Sequence, residues 1–197
     1  MRNTLIILLL SLPFFFGACT PAELPAGEYV KWIKNPENGL HKLREIGDYR
    51  LSFQFQTDDF LDLRTKEREI HPIQLSEAQE QAPQLAHFEL RMGSKDRKTP
   101  LLRNGISDMQ SYQERVQYLS FEQERRIFLF SETDTLQPLL YHFERSFDLS
   151  PDVLCSLAFD HIPEGDFSLM IDDANLGLGP VYFSFHSADF QAIPALK

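Results

Sequence analysis

Asp48-Tyr49-Arg50-Leu51-Ser52-Phe53-Gln54-Phe55-Gln56 decides the fold class. Tyr49, Leu51, Phe53 and Phe55 alternate with Arg50, Ser52, Gln54 and Gln56. Successive side chains of a strand point to opposite faces, so this stretch is a strand of a sheet with one apolar face and one wet face. Working outward, Lys42 to Ile46 is placed to pair with it across a turn at Gly47-Asp48. A second alternating run sets Phe88, Leu90 and Met92 against His87, Glu89 and Arg91. From Glu124 the pattern is strands alone: Arg126 to Phe130, Leu139 to Leu149, Val153 to Phe159, Phe167 to Ile171 and Val181 to His186. Their short connections imply an antiparallel meander, because a parallel crossover needs about a dozen residues.

Helix signals lie between these strands. Thr57 and Asp58 supply capping chemistry for a short helix carrying Phe60, Leu61 and Leu63, which His71-Pro72 ends. Ser76 to Gln81 reads as a second helical piece that stops before Pro83. Ser107 and Gln110 have capping-box spacing, and Met109, Tyr112, Val116 and Leu119 continue at helical intervals. The class is therefore α+β: a mainly antiparallel β-sheet or sandwich, with a few short helices in the N-terminal half. The ordered body begins near Tyr29, and the turn at Asn35-Pro36-Glu37-Asn38-Gly39-Leu40 follows it.

At the amino end, Arg2 precedes an apolar run from Leu5 to Phe16, interrupted by Ser11 and Pro13, and Gly17-Ala18-Cys19 follows. A basic start, a short apolar core and small residues describe a signal peptide, and the run is too short for a comfortable transmembrane helix. Phe16-Gly17-Ala18-Cys19 resembles the lipobox of bacterial lipoproteins, departing only by Phe in place of Leu at the first position. The resemblance implies cleavage before Cys19, a diacylglyceryl thioether on its sulfur and usually an N-acyl chain. Residues 1–18 are then a signal peptide, residues 19–27 a lipidated tether and residues 28–197 a single α+β domain. Two or three acyl chains, at about 0.8 kcal/mol per buried CH₂, anchor durably where one does not. Thr20 gives no retention signal for an inner membrane, so the outer membrane is the expected location. Glu23 stands alone where a surface-export signal would place an acidic run, which leaves both the periplasmic and the surface side open. The Tyr-Trp pair and the Pro-Glu-Asn-Gly-Leu turn are similar to a group of uncharacterised Bacteroidota lipoproteins, a likeness that brings no activity with it.

The chain has 19 basic and 29 acidic residues. Loss of residues 1–18 removes Arg2 alone, leaving 18 against 29, or −11. So acidic a chain is repelled by phosphate backbones, which excludes nucleic acid as the expected partner. Lipidation of Cys19 leaves Cys155 without an intramolecular partner, so there is no disulfide framework. The alternation Val153, Cys155, Leu157, Phe159 puts that thiol on the apolar face of its strand. The basic loop from Lys95 to Arg103 reads as solvated or as a contact for an acidic partner.

Motifs for chemistry are sparse. Asp172, Asp173 and Asn175, with Gly177 and Gly179, form an oxygen-rich loop that suits calcium or another ligand, but it fails the EF-hand spacing: counted from Asp173, Ser184 stands where a Glu is needed. A hairpin turn explains the same residues. The strand histidines His87, His142 and His186 would make a zinc site only if their strands met on one face. Trp32, the single tryptophan, offers an aromatic contact for a ligand or packs the chain's entry onto the core. There is no Gly-x-Ser-x-Gly elbow, Ser-x-x-Lys pair, P-loop or Gly-x-Gly-x-x-Gly. The expectation is a non-enzymatic, lipid-anchored envelope protein without cofactor or metal. Its partners are the bilayer, through acylated Cys19, and an envelope protein in a membrane assembly. The alternative is a lipoprotein that binds a carbohydrate or small ligand.

Overall fold

A computed structural model describes residues 22–67, 85–145, 149–173 and 175–197. Cys19, the His71-Pro72 stop and the helix expected at Ser76 to Gln81 lie outside the described residues. The strands are β1 (Glu23–Leu24), β2 (His41–Ile46), β3 (Tyr49–Gln56), β4 (Ala86–Ser94), β5 (Ile127–Phe130), β6 (Thr135–Leu136), β7 (Leu140–Glu144), β8 (Val153–Phe159), β9 (Phe167–Asp172), β10 (Pro180–Phe185) and β11 (Ala195–Leu196). The helices are α1 (Ala26–Lys34), α2 (Asp58–Glu67), α3 (Met109–Phe121) and α4 (Ser187–Gln191).

One sheet has the order β2-β3-β4-β8-β7 and the other β10-β9-β5-β6, both antiparallel throughout, and β1 pairs with β11 in parallel. The fold is α+β with mainly antiparallel sheets. The alternation in β3 dictates how the sheets meet. Leu51, Phe53 and Phe55 point inward beside Phe88, Leu90 and Met92 of β4, and all six are buried. They face Phe167, Leu169 and Ile171 of β9 and Phe183 and Phe185 of β10, also buried. Phe53 meets Phe183 edge-on at 5.0 Å, and Phe88 meets Phe185 at 5.6 Å and Phe167 at 6.3 Å. Interdigitating inner faces of this kind make a sandwich core.

The structure revises several expectations. The last strands do not form one meander: β5-β6 and β9-β10 belong to one sheet and β7-β8 to the other, so the chain changes sheet twice. Among its described residues, Leu139 to Leu149 supplies only the five-residue β7. Helix α3 is capped by Asp108, whose carboxylate accepts from the Ser111 N–H at 2.8 Å, instead of by Ser107. Asp is as good an N-cap as Ser, and starting one residue later moves the cap onto it. Helix α4 lies near the carboxyl end, beyond the half where helices were expected. The expected tether, 19–27, is already structured from β1 onward. Pro25 precedes α1, where the missing proline N–H is harmless, and its carbonyl accepts from the Glu28 and Tyr29 N–H groups at 2.9 Å. Finally, the outer face of β3 is not open to water: Ser52 is 5 % exposed and Gln56 6 %.

Candidate functional site

The covering of β3 creates the site. Helices α1 and α2 come together where the Tyr29 hydroxyl meets Thr57 Oγ1 at 2.6 Å, while Thr57 also caps α2 by accepting from the Phe60 N–H at 3.2 Å. Gln54 reaches up from β3 and donates to the carbonyls of Ile33 at 3.0 Å and Leu40 at 3.4 Å, fixing the end of α1 over the sheet. Between these helices and the outer faces of β2, β3 and β4 lies a cleft of about 500 Å³. Lys34 and Arg64 stand on its walls, His41, Ser52 and Gln54 on its floor, and Glu89 and Arg91 at its far side.

Glu89 is the centre of the charge arrangement. Arg64 Nη1 donates to its Oε2 at 3.1 Å and Arg91 Nη2 to its Oε1 at 3.0 Å. Burial opposes the charged form, but the two guanidinium groups outweigh it and hold the Glu89 carboxyl below its usual range. Burial, aided by the Arg91 charge and opposed by Glu89, lowers the His41 pKa, so this imidazole is neutral at pH 7. Arg91 also lies 3.6 Å from Asp152 Oδ2, and Asp152 accepts from Arg50 Nη2 with both oxygens at 2.9 Å. Gly93 permits this, because a Cβ there would collide with the Asp152 carboxylate.

The residues singled out in the sequence are placed elsewhere. Asp173, 1 % exposed, spends Oδ1 on the Leu176 N–H at 3.0 Å and Oδ2 on Gln123 Nε2 at 2.6 Å. Asn175 Oδ1 accepts from Arg115 Nε at 2.9 Å, and Asp172 lies 3.6 Å from Arg126 Nη1. The three do not converge on a common point: Asp173 is buried, Asp172 is half-buried and Asn175 is exposed, and each spends an oxygen on a different protein partner. Trp32 is half-buried on α1 and packs against the core. His87 and His142 belong to the five-stranded sheet, whereas His186 lies at the end of β10 with its Nδ1 2.9 Å from Asp166 Oδ2. The histidines therefore do not meet. Among the described residues no group of three or more His, Cys, Asp or Glu side chains is arranged to hold a metal ion. Among them, too, no helix is long and apolar enough to cross a membrane.

Cys155 is 0 % exposed, and its sulfur sits 3.2 Å from the Tyr141 hydroxyl. Burial pushes its thiol up to about 12, against the help of Tyr141, so at neutral pH it is a closed thiol and no nucleophile. Native protein should accordingly resist alkylation by iodoacetamide and react promptly in guanidinium chloride; rapid native labelling, read by mass, would contradict the burial.

The cleft was missed in the sequence because its wet strand face looked solvated. The available signal was Glu89 and Arg91, opposite charges two residues apart on one face of a strand. No family model matches the chain, and no curated protein or solved structure matches it.

Proposed function

We propose that this chain is a non-enzymatic, lipid-anchored module of the bacterial cell envelope, fixed at the outer membrane through acylated Cys19 and serving a membrane assembly as an interaction partner. The observation that carries the reading is the shortness of the link. Thr20, Pro21 and Ala22 alone separate Cys19 from β1, which starts at Glu23. At about 3.3 Å per extended residue, the folded body stands roughly a nanometre from the acylated sulfur. Such a link holds one pole of the sandwich against the bilayer and suits a protein that docks neighbours in the membrane plane. Apolar side chains beyond the core's needs support docking: Leu139 and Leu140 at the open edge of β7 are 60 % and 58 % exposed, and Phe121 at the end of α3 is 65 %.

Labelling with radioactive palmitate tests the anchor. The native chain should incorporate label and sediment with membranes, and Cys19→Ser should do neither. An intact, unacylated amino-terminal region on protein from its native host overturns the anchor. Pull-down from detergent-solubilised membranes tests the module, and elution alone as a monomer overturns it. The cleft between α1, α2 and the five-stranded sheet favours a second reading, that of a small-ligand-binding lipoprotein.

A further inference from the structure

We propose that the cleft over β2, β3 and β4 binds a small organic anion, a hydroxylated compound carrying a carboxylate or a phosphate. This rests on the small-ligand reading and names its ligand class.

Charge is the first ground. Lys34, Arg64 and Arg91 line the cleft against the carboxylate of Glu89, with Asp152 beside Arg91 outside the lining, in a chain whose net charge is −10. A recessed cationic spot on an acidic body concentrates field lines and draws anions to that spot. Preorganisation is the second. Glu89 holds Arg64 and Arg91 by one oxygen each, so their guanidinium groups are positioned before any ligand arrives. A guanidinium has five N–H donors, and Glu89 takes one from each arginine.

Third, the cleft keeps polar groups that the Arg64-Glu89-Arg91 chain does not use. Lys34 Nζ lies over the Phe60 ring at 5.6 Å, and among the described residues it has no hydrogen-bond or ion-pair partner. The His41 ring and the Ser52 hydroxyl, both on the cleft floor, likewise have no hydrogen-bond partner among the described residues. A salt-bridge chain that only stabilised the sheet would require none of these three. An anion set among them would take charge-assisted bonds from Lys34 and from the Arg64 N–H groups other than those of Nη1, which donates to Glu89 and Gln56, with its hydroxyl groups meeting Ser52 and His41. Glu89 then acts as an internal rival, occupying donors that an incoming anion also wants.

That rivalry gives the test its sign. The acylated full-length protein in detergent micelles is titrated calorimetrically, at fixed ionic strength, with glucuronate, inorganic phosphate and glucose. Saturable binding of glucuronate alone assigns a sugar carboxylate, and of phosphate alone a phosphate ester; either supports the proposal. Lys34→Gln, on an exposed position, should weaken that binding about tenfold, the worth of one charge-assisted bond. Glu89→Gln should strengthen it, because the rival charge is gone while the amide oxygen still accepts from one of the two guanidinium groups. Glucose binding as tightly as either anion, silence with both anions, or unchanged affinity in Lys34→Gln with an unaltered melting curve overturns the proposal. A silent titration leaves palmitate labelling intact, and lost labelling leaves the titration intact, so the two failures are distinguishable.

Discussion

Phe88→Ala should destabilise the protein by about 3–5 kcal/mol, the usual range for deleting a fully buried phenylalanine. Phe88 is 1 % exposed, the third residue of β4. Its ring lies edge-on to Phe55 at 5.3 Å, Phe159 at 6.0 Å, Phe167 at 6.3 Å and Phe185 at 5.6 Å. These neighbours come from both sheets, so the vacated volume sits at the seam of the sandwich and no single element can collapse into it. Lost transfer energy and residual cavity add. For a domain of this size the melting temperature should fall by about 10 °C, at roughly 2–4 °C per kcal/mol. A drop of less than a few degrees by calorimetry would mean that the two sheets are not joined through this ring. Phe88→Leu, which restores most of the volume, should recover the greater part of the loss.

Asp173→Ala should cost about 2–6 kcal/mol, since each buried donor left unsatisfied costs about 1–3 kcal/mol and two would be orphaned. These are Gln123 Nε2, on a residue that is 0 % exposed, and the Leu176 N–H. The loss spreads further because Gln123 Oε1 lies 2.8 Å from the Tyr141 hydroxyl, which also donates to the Leu119 carbonyl at 2.6 Å. Burial holds the Asp173 carboxyl above its usual value, against its hydrogen bonds to Leu176 and Gln123. The native state therefore keeps this proton where the unfolded chain, with an aspartate near 3.9, has lost it. Stability attributable to Asp173 falls as pH rises through that window and is constant above it. Glu89 has the opposite sign. Its depressed pKa contributes stability above the unfolded value near 4.3, and this is lost as pH falls through the lower folded value. Denaturant titrations at several pH values should show Asp173→Ala without the first slope and Glu89→Gln without the second.

The parts of the fold legible in the sequence are those that local periodicity controls. Leu51, Phe53 and Phe55 declare an inner face because a strand has a period of two, and Cys155 falls on the inner face of β8 by the same rule. Asp58 and Asp59 at the start of α2 are equally local, since a helix start needs only a cap and the first turn. The cleft follows from no local rule. Lys34 and Arg64 sit on different helices, and Glu89 meets Arg64 only because β4 pairs with β3 and α2 folds back over both. The Asp172 to Asn175 loop shows a related blindness. Its residue types announce a turn, but whether the oxygens face solvent or protein depends on Gln123 and Arg115, fifty to sixty residues away. Composition also misled at Pro25 and Gly27, which suggest a short tether and instead begin α1. Just before them, Glu23 and Leu24 pair with β11, whose position the amino end cannot foresee.

That last pairing ties residues 22–24 to residues 195–197. Ala195 donates its N–H to the Ala22 carbonyl at 3.1 Å, and Lys197 to that of Leu24 at 3.0 Å. A reporter grafted after Lys197 would therefore sit at the corner where residue 22 enters the sandwich. Fluorophores there would sense the immediate surroundings of that corner, and bulky fusions would be crowded by it.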